Sequence, residues 1–203
     1  MSPRVYLAGP DVFLPDPEKR AAAMKQVCAR HGLIGISPLD PLPGERDEAG
    51  QMLDPGVIAL RNETHIRHCD ALLANLTPFR GPGADAGTVY EIGYGRALGR
   101  PVFGYATVTG DYAARVRAMP GSGAARDADG LAIEDFGLFD NLMITCGIEA
   151  SGGFVLTEAV DAPWADLSVF ERCVTQAAAA LRRTPIPPPP LDESLHKAAQ
   201  PQS

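Results

Sequence analysis

Short apolar runs alternate along this chain with longer stretches whose apolar residues recur every three or four positions. "RVYLAGP" has the pattern of a short buried strand ended by Gly9-Pro10, and "LIGISPLD" repeats it, ended by Pro38. Between them, Asp16 to His31 ("DPEKRAAAMKQVCARH") is rich in helix formers, with Pro17 in its first turn and Gly32 to stop it. From Val57, "VIALRNETHIRHC" sets Val57, Leu60, Thr64 and His68 at helical steps. "DALLANL" predicts a third strand, "TVYEIGYGRALG" a helix, "PVFGYA" a fourth strand and "ADLSVFERCVTQAAAALRR" a last helix. "NLMITCG" and "GFVLTEAV" fit a final strand or a docked segment equally well. The alternation predicts an α/β fold: a doubly wound parallel sheet of about five strands, with helices on both faces and ligands bound by the loops at the carboxyl ends of the strands.

Composition narrows the class. With 203 residues, 45% of them hydrophobic and 21% charged, the chain suits one globular domain over residues 1–183. The proline-rich end, residues 184–203 ("TPIPPPPLDESLHKAAQPQS"), is expected to be an extended or disordered tail. "PLPGERDEAGQMLDPG" combines prolines with charges and is expected to be a long surface loop in the position of a lid. A net charge of −7 with scattered arginines argues against nucleic acid as a partner. No apolar run is long enough to span a bilayer, and the first residues lack a basic segment followed by a long apolar one, so a cytoplasmic protein with no membrane partner is expected. Cys28, Cys69, Cys146 and Cys173 lie far apart without a C-x-x-C pair, which suggests neither a disulfide framework nor a zinc knuckle. The stretch from Thr107 to Gly137 mixes a short helical pattern with glycine-rich turns and points to no role.

The chemistry concentrates in "RGPGADAGTVYEIGYGRALGRPV", Arg80 to Val102, where Asp85 and Glu91 stand six residues apart. Thr88-Val89-Tyr90-Glu91 matches a capping box, which accounts for Glu91 without chemistry. Against that, Gly87 and Gly95 lie one turn before and one turn after Glu91, leaving room around a carboxylate. Spacing leaves both readings open. "GPGADAG" lacks the lysine and hydroxyl of a phosphate-binding P-loop, "GYGRALG" is a poor dinucleotide motif, and two acids repel phosphate. A neutral polyhydroxylated ligand fits better. His65 and His68 sit three apart with no third ligand in view, so no metal is expected.

"VYLAGPDVF", "RNETHIRHCDALLANLTPFRGPGADAGTVYEIGYGRALGRPVF" and "DFGLFDNLM", in that order over residues 4 to 150, resemble the nucleoside 2-deoxyribosyltransferases, in particular the purine-handling, parasite-type branch with its "TPFRG" turn. The resemblance implies a flavodoxin-like sheet and exchange of the base on a 2′-deoxynucleoside without a cofactor. It makes Glu91 the nucleophile at C1′, Tyr6 the phenol that orients it, and Asp85 the holder of the 5′-hydroxyl. An asparagine from a neighbouring subunit, here Asn141, would complete the site, which implies a homo-oligomer. Many relatives carry an aspartate as general acid where this chain has Asn62, and Asp40 is then a substitute acid or simply a turn former. Gly9 and Gly87 line the site. Phe13 packs on the base or in the core, and Arg80 closes the pocket edge or stays solvated. The alternatives are an N-glycosidase acting on deoxynucleosides or their 5′-monophosphates through the same glutamate, and a non-catalytic nucleoside-binding module.

Overall fold

The computed structural model describes residues 2–42 and 54–183. The expected tail, and residues 43–53 of the expected lid, lie outside the described residues. Five strands, β1 (Arg4–Ala8), β2 (Ile34–Ile36), β3 (Ala71–Asn75), β4 (Val102–Ala106) and β5 (Phe154–Thr157), form one sheet in the order β2-β1-β3-β4-β5. Every pairing is parallel, with Tyr6 opposite Ile36 on one side and Leu72 on the other. A short 3-10 turn (Pro10–Phe13) and six helices connect the strands: α1 (Pro17–Arg30), α2 (Pro55–Arg67), α3 (Ala86–Ala97), α4 (Tyr112–Arg117), α5 (Leu142–Ala150) and α6 (Ser168–Arg183). The expected doubly wound α/β fold is therefore the one the chain adopts.

Strand alternation divides the core. Val5, Leu7, Leu73, Phe103 and Tyr105 point toward α1 and α6, whereas Tyr6, Ala8, Leu72, Ala74 and Val102 point toward the face covered by α3 and α5. Both faces are buried, so the strands are apolar at successive positions, apart from Arg4 and Asn75 at strand ends, rather than alternating. Local chemistry sets the helix ends. Pro17 opens α1, and Gly32, at φ +78°, closes it with a Schellman motif in which Leu33 N donates to Cys28 O at 3.0 Å and Gly32 N to Ala29 O at 3.0 Å. Asp54 caps α2 by accepting from Gly56 N.

"GFVLTEAV" supplies the final strand, and "NLMITCG" lies in α5. Ile144 and Thr145 made that segment ambiguous, but Asn141 caps it by accepting from Met143 N at 3.0 Å, and Ile144 and Ile148 pack on the sheet a helical turn apart. Strand order reverses between β1 and β3, so the loops after these two strands bound a crevice at the carboxyl edge. The first loop carries Gly9 to Phe13, and the second carries the "TPFRG" turn and runs into α3.

Candidate active site

Tyr6 and Glu91 meet in this crevice. Tyr6 is fully buried on β1, facing α3, and its hydroxyl donates to Glu91 Oε1 at 2.6 Å. Asn62 on α2 approaches the same oxygen through Nδ2 at 3.5 Å, a contact at the long limit of a hydrogen bond. Its Oδ1 is buried with no partner among the described residues. Three separate elements thus converge on one carboxylate that is 9% exposed.

Burial pushes the Glu91 carboxyl up to about 7. The Tyr6 hydrogen bond pulls it back down in part, while the nearby Asp85 charge pushes it further up. No cation among the described residues offsets the burial. Tyr6 is raised well above the usual phenol value, first by burial and then by the charge of Glu91, so it stays protonated as a donor. A carboxylate half ionised near neutrality, held by a neutral donor, can act as a nucleophile or pass a proton.

The structure revises the local reading of the glycine loop. The cap of α3 is Asp85, not Thr88: Asp85 Oδ2 accepts from Thr88 N at 2.9 Å and from Thr88 Oγ1 at 3.0 Å. Glu91 lies in the second turn and takes no part in capping, so the capping-box reading fails. Gly87 is exposed, and a Cβ there would come 3.1 Å from Asp85 Oδ2, so the glycine keeps the cap clear. Gly95 makes no room for Glu91 either. A Cβ there would come 2.6 Å from Leu72 Cδ1, so its role is close packing of α3 on β3.

Asp40 proves to be a turn former. It pairs with Lys25, its Oδ2 accepts from Ser37 N at 3.0 Å, and its backbone carbonyl lies 2.8 Å from His65 Nε2. His68 bonds Thr64 O at 2.8 Å, and among the described residues no group of three His, Cys, Asp or Glu is placed to hold a metal. Gly9 is required by contact: a Cβ would come 2.8 Å from both Asn75 Cβ and Asp11 Oδ2. Asn141 uses Oδ1 to cap α5 and Nδ2 to donate to Glu134 Oε2 at 2.7 Å. No helix among the described residues is long and apolar enough to cross a membrane.

Phe13 is 59% exposed, which removes the core-packing reading. Its ring stacks on Phe79 with centroids 5.3 Å apart. The Arg80 guanidinium lies over both rings, 5.1 and 4.6 Å from their centroids, rather than free in solvent. Sequence reasoning missed the group beneath this cluster. Asp11 Oδ1 accepts from Arg20 Nε at 2.8 Å and its Oδ2 from Asn75 Nδ2 at 2.8 Å, while Asn75 Oδ1 accepts from Thr77 N at 3.0 Å. These partners are far apart in sequence, and only an acid inside a strand-ending "GPD" hinted at them. A shallow recess lined by Gly9, Asp11, Ser37 and Leu39 among others opens on the α1 side of the sheet. Neither Tyr6 nor Glu91 lines it.

Comparisons with known proteins bear on the family and the fold. An uncharacterized protein of Schizosaccharomyces pombe is 33% identical over 172 residues, covering 77% of this chain and 82% of that protein. The solved structure of a 2-desoxiribosyltransferase from Leishmania mexicana superposes with a TM-score of 0.60 at 30% identity, over 85% of this chain and 97% of that one. A conserved protein from Enterococcus faecalis V583 shares the fold at 20% identity, with a TM-score of 0.51 over 87% and 99% of the two chains. The family model described as nucleoside 2-deoxyribosyltransferase matches residues 5–143, which include the Tyr6–Glu91 pair, and this chain belongs to that family.

Proposed function

We propose that this protein moves 2-deoxyribose from one nucleobase to another through a covalent ester on Glu91. The observation that carries the proposal is the Glu91 carboxylate, 9% exposed, bonded to a fully buried tyrosine and offset by no cation among the described residues. In the first step a Glu91 oxygen bonds to C1′ as the C1′–N bond breaks. The electron pair stays on the base nitrogen, which takes a proton from solvent because Asn62 has no acidic proton to give. In the second step a nitrogen of the incoming base bonds to C1′ from the opposite side and releases its proton. The C1′–O bond breaks, and Glu91 returns as a carboxylate. Two inversions retain configuration, as in retaining glycosidases.

Tyr6 holds Glu91 in line and stabilises its charge as the ester reopens. Asp85 caps α3 through Oδ2 and holds the sugar 5′-hydroxyl, with Asn141 from a neighbouring copy as second partner in a homo-oligomer. An anionic Asp85 repels a 5′-phosphate, which selects free deoxynucleosides over nucleotides. Phe13 and Arg80 lie along the base.

The test is exchange: 2′-deoxyinosine is incubated with the enzyme in the presence and absence of adenine. The proposal expects 2′-deoxyadenosine only where enzyme and adenine are both present. Equal hypoxanthine release with and without adenine, and no new nucleoside, would identify a hydrolase instead.

A further inference from the structure

Residues 158–167, which link β5 to α6, lie beyond the segment matched by the family model, yet they are tied to the crevice at several points. Arg20 Nη1 donates to Ala165 O at 3.0 Å, and the same guanidinium holds Asp11. Asp11 holds Asn75, and Asn75 holds Thr77, at the start of the "TPFRG" turn. One buried chain of hydrogen bonds therefore fixes the loops after β1, β3 and β5 against one another. Ala162 N also donates to Thr107 O at 2.7 Å, and Asp161 Oδ1 accepts from Thr109 N at 2.8 Å, which pins the segment to the end of β4.

This bracing positions Trp164. Its ring meets Phe79 edge-on, with centroids 6.4 Å apart and planes at 69°. Phe79 lies stacked with Phe13, and Arg80 covers both. Arg80 is the one non-glycine residue at positive φ among the described residues, at 56°, a conformation that costs energy and is kept where the surroundings impose it. The result is a half-exposed surface with flat faces, one upright wall and a planar cation. It is built on the loops that bound the Tyr6–Glu91 crevice, and the loop with Phe79 and Arg80 leads into the helix that carries Glu91.

We propose that Trp164 is a further specificity-determining residue, the wall of an aromatic platform on which a purine base lies while Glu91 acts on its sugar. The inference rests on the transfer reading above. A bicyclic base reaches from the Phe13–Phe79 stack to the indole edge, whereas a pyrimidine covers less of the surface, so the wall favours purines.

The test uses two independent readouts. Trp164 is the single tryptophan of the chain, so its emission reports on the platform directly. Free adenine, added without any sugar, is expected to change that emission saturably, thymine to need a several-fold higher concentration, and F13A to weaken the adenine response. In steady-state kinetics, W164A is expected to raise KM for 2′-deoxyinosine about tenfold, the scale of one lost base–aromatic contact, with a smaller change for thymidine and far less effect on kcat. W164F, which keeps a ring, is expected to recover most of the loss.

No saturable emission change with adenine, or equal KM changes for purine and pyrimidine donors, would overturn the assignment. A wild-type protein that transfers no deoxyribose removes the activity but not the platform, which the adenine titration then decides alone.

Discussion

Two carboxylates, Asp11 and Glu91, are equally buried at the carboxyl edge of the sheet, each 9% exposed, on opposite faces. Asp11 is answered in full: Arg20 supplies a guanidinium at 2.8 Å and Asn75 an amide at 2.8 Å. Glu91 receives one strong hydrogen bond from Tyr6 and a long one from Asn62, with no cation among the described residues, and its carboxyl rises to about 7. A buried charge with an ion partner is inert scaffolding, and one without a partner is held ready to react. The same contrast separates the two faces of the crevice. On the α1 side a closed network braces the loops, and on the α3 side the carboxylate is held by Tyr6 with no ion partner among the described residues.

Substitutions at the two acids should separate these roles. E91A is expected to lower transfer by about a thousandfold or more, since on the proposed mechanism it removes the covalent nucleophile, while the protein still folds. Exchange assays beside circular dichroism check this. D11A is expected to behave in the opposite way, destabilising the fold by about 3–5 kcal/mol because the buried Arg20 guanidinium loses its counter-charge. Denaturant titration reads that loss, and a D11A protein as stable as wild type would break the comparison.

The pH dependence follows from the raised Glu91 value. The folded carboxyl titrates near 7 and the unfolded one near 4.5, so the folded state holds its proton more tightly. That stabilisation is complete below about 4.5 and is lost as pH rises through about 7, an expected decline of about 3 kcal/mol that E91Q lacks. Stability curves of the two proteins across this range test it. Over the same range activity is expected to rise with pH, because the proposed nucleophile must be ionised.

Y6F gives the smallest effect. Loss of the hydrogen bond costs about 1.5–3 kcal/mol, or roughly ten- to a hundredfold in kcat, and moves the acid limb of the rate profile to higher pH, since that bond lowers the Glu91 value.

Much of the fold was legible because a doubly wound sheet writes itself as apolar runs separated by helical periods. β1 to β4 and most helices follow from that pattern, with Pro17 and Gly32 marking both ends of α1. α5 was harder to read, since Ile144 and Thr145 suit a strand until the cap at Asn141 is seen. The cap of α3 was misassigned because Asp85 and Thr88 both stand at a plausible helix start, and hydrogen bonds rather than spacing decide between them. Glu91 and Tyr6 were reached through resemblance, their contact spanning 85 residues. Asp11, Arg20 and Asn75 left almost no trace, because Arg20 and Asn75 look ordinary until the chain brings them together 9 and 64 residues from Asp11.

The most direct measurement is mass spectrometry of the protein quenched during reaction with 2′-deoxyinosine. The account predicts one deoxyribosyl group per reacted chain, located by fragmentation on Glu91 and discharged when adenine is added. An adduct on any other residue, or full exchange activity in E91A, would contradict it.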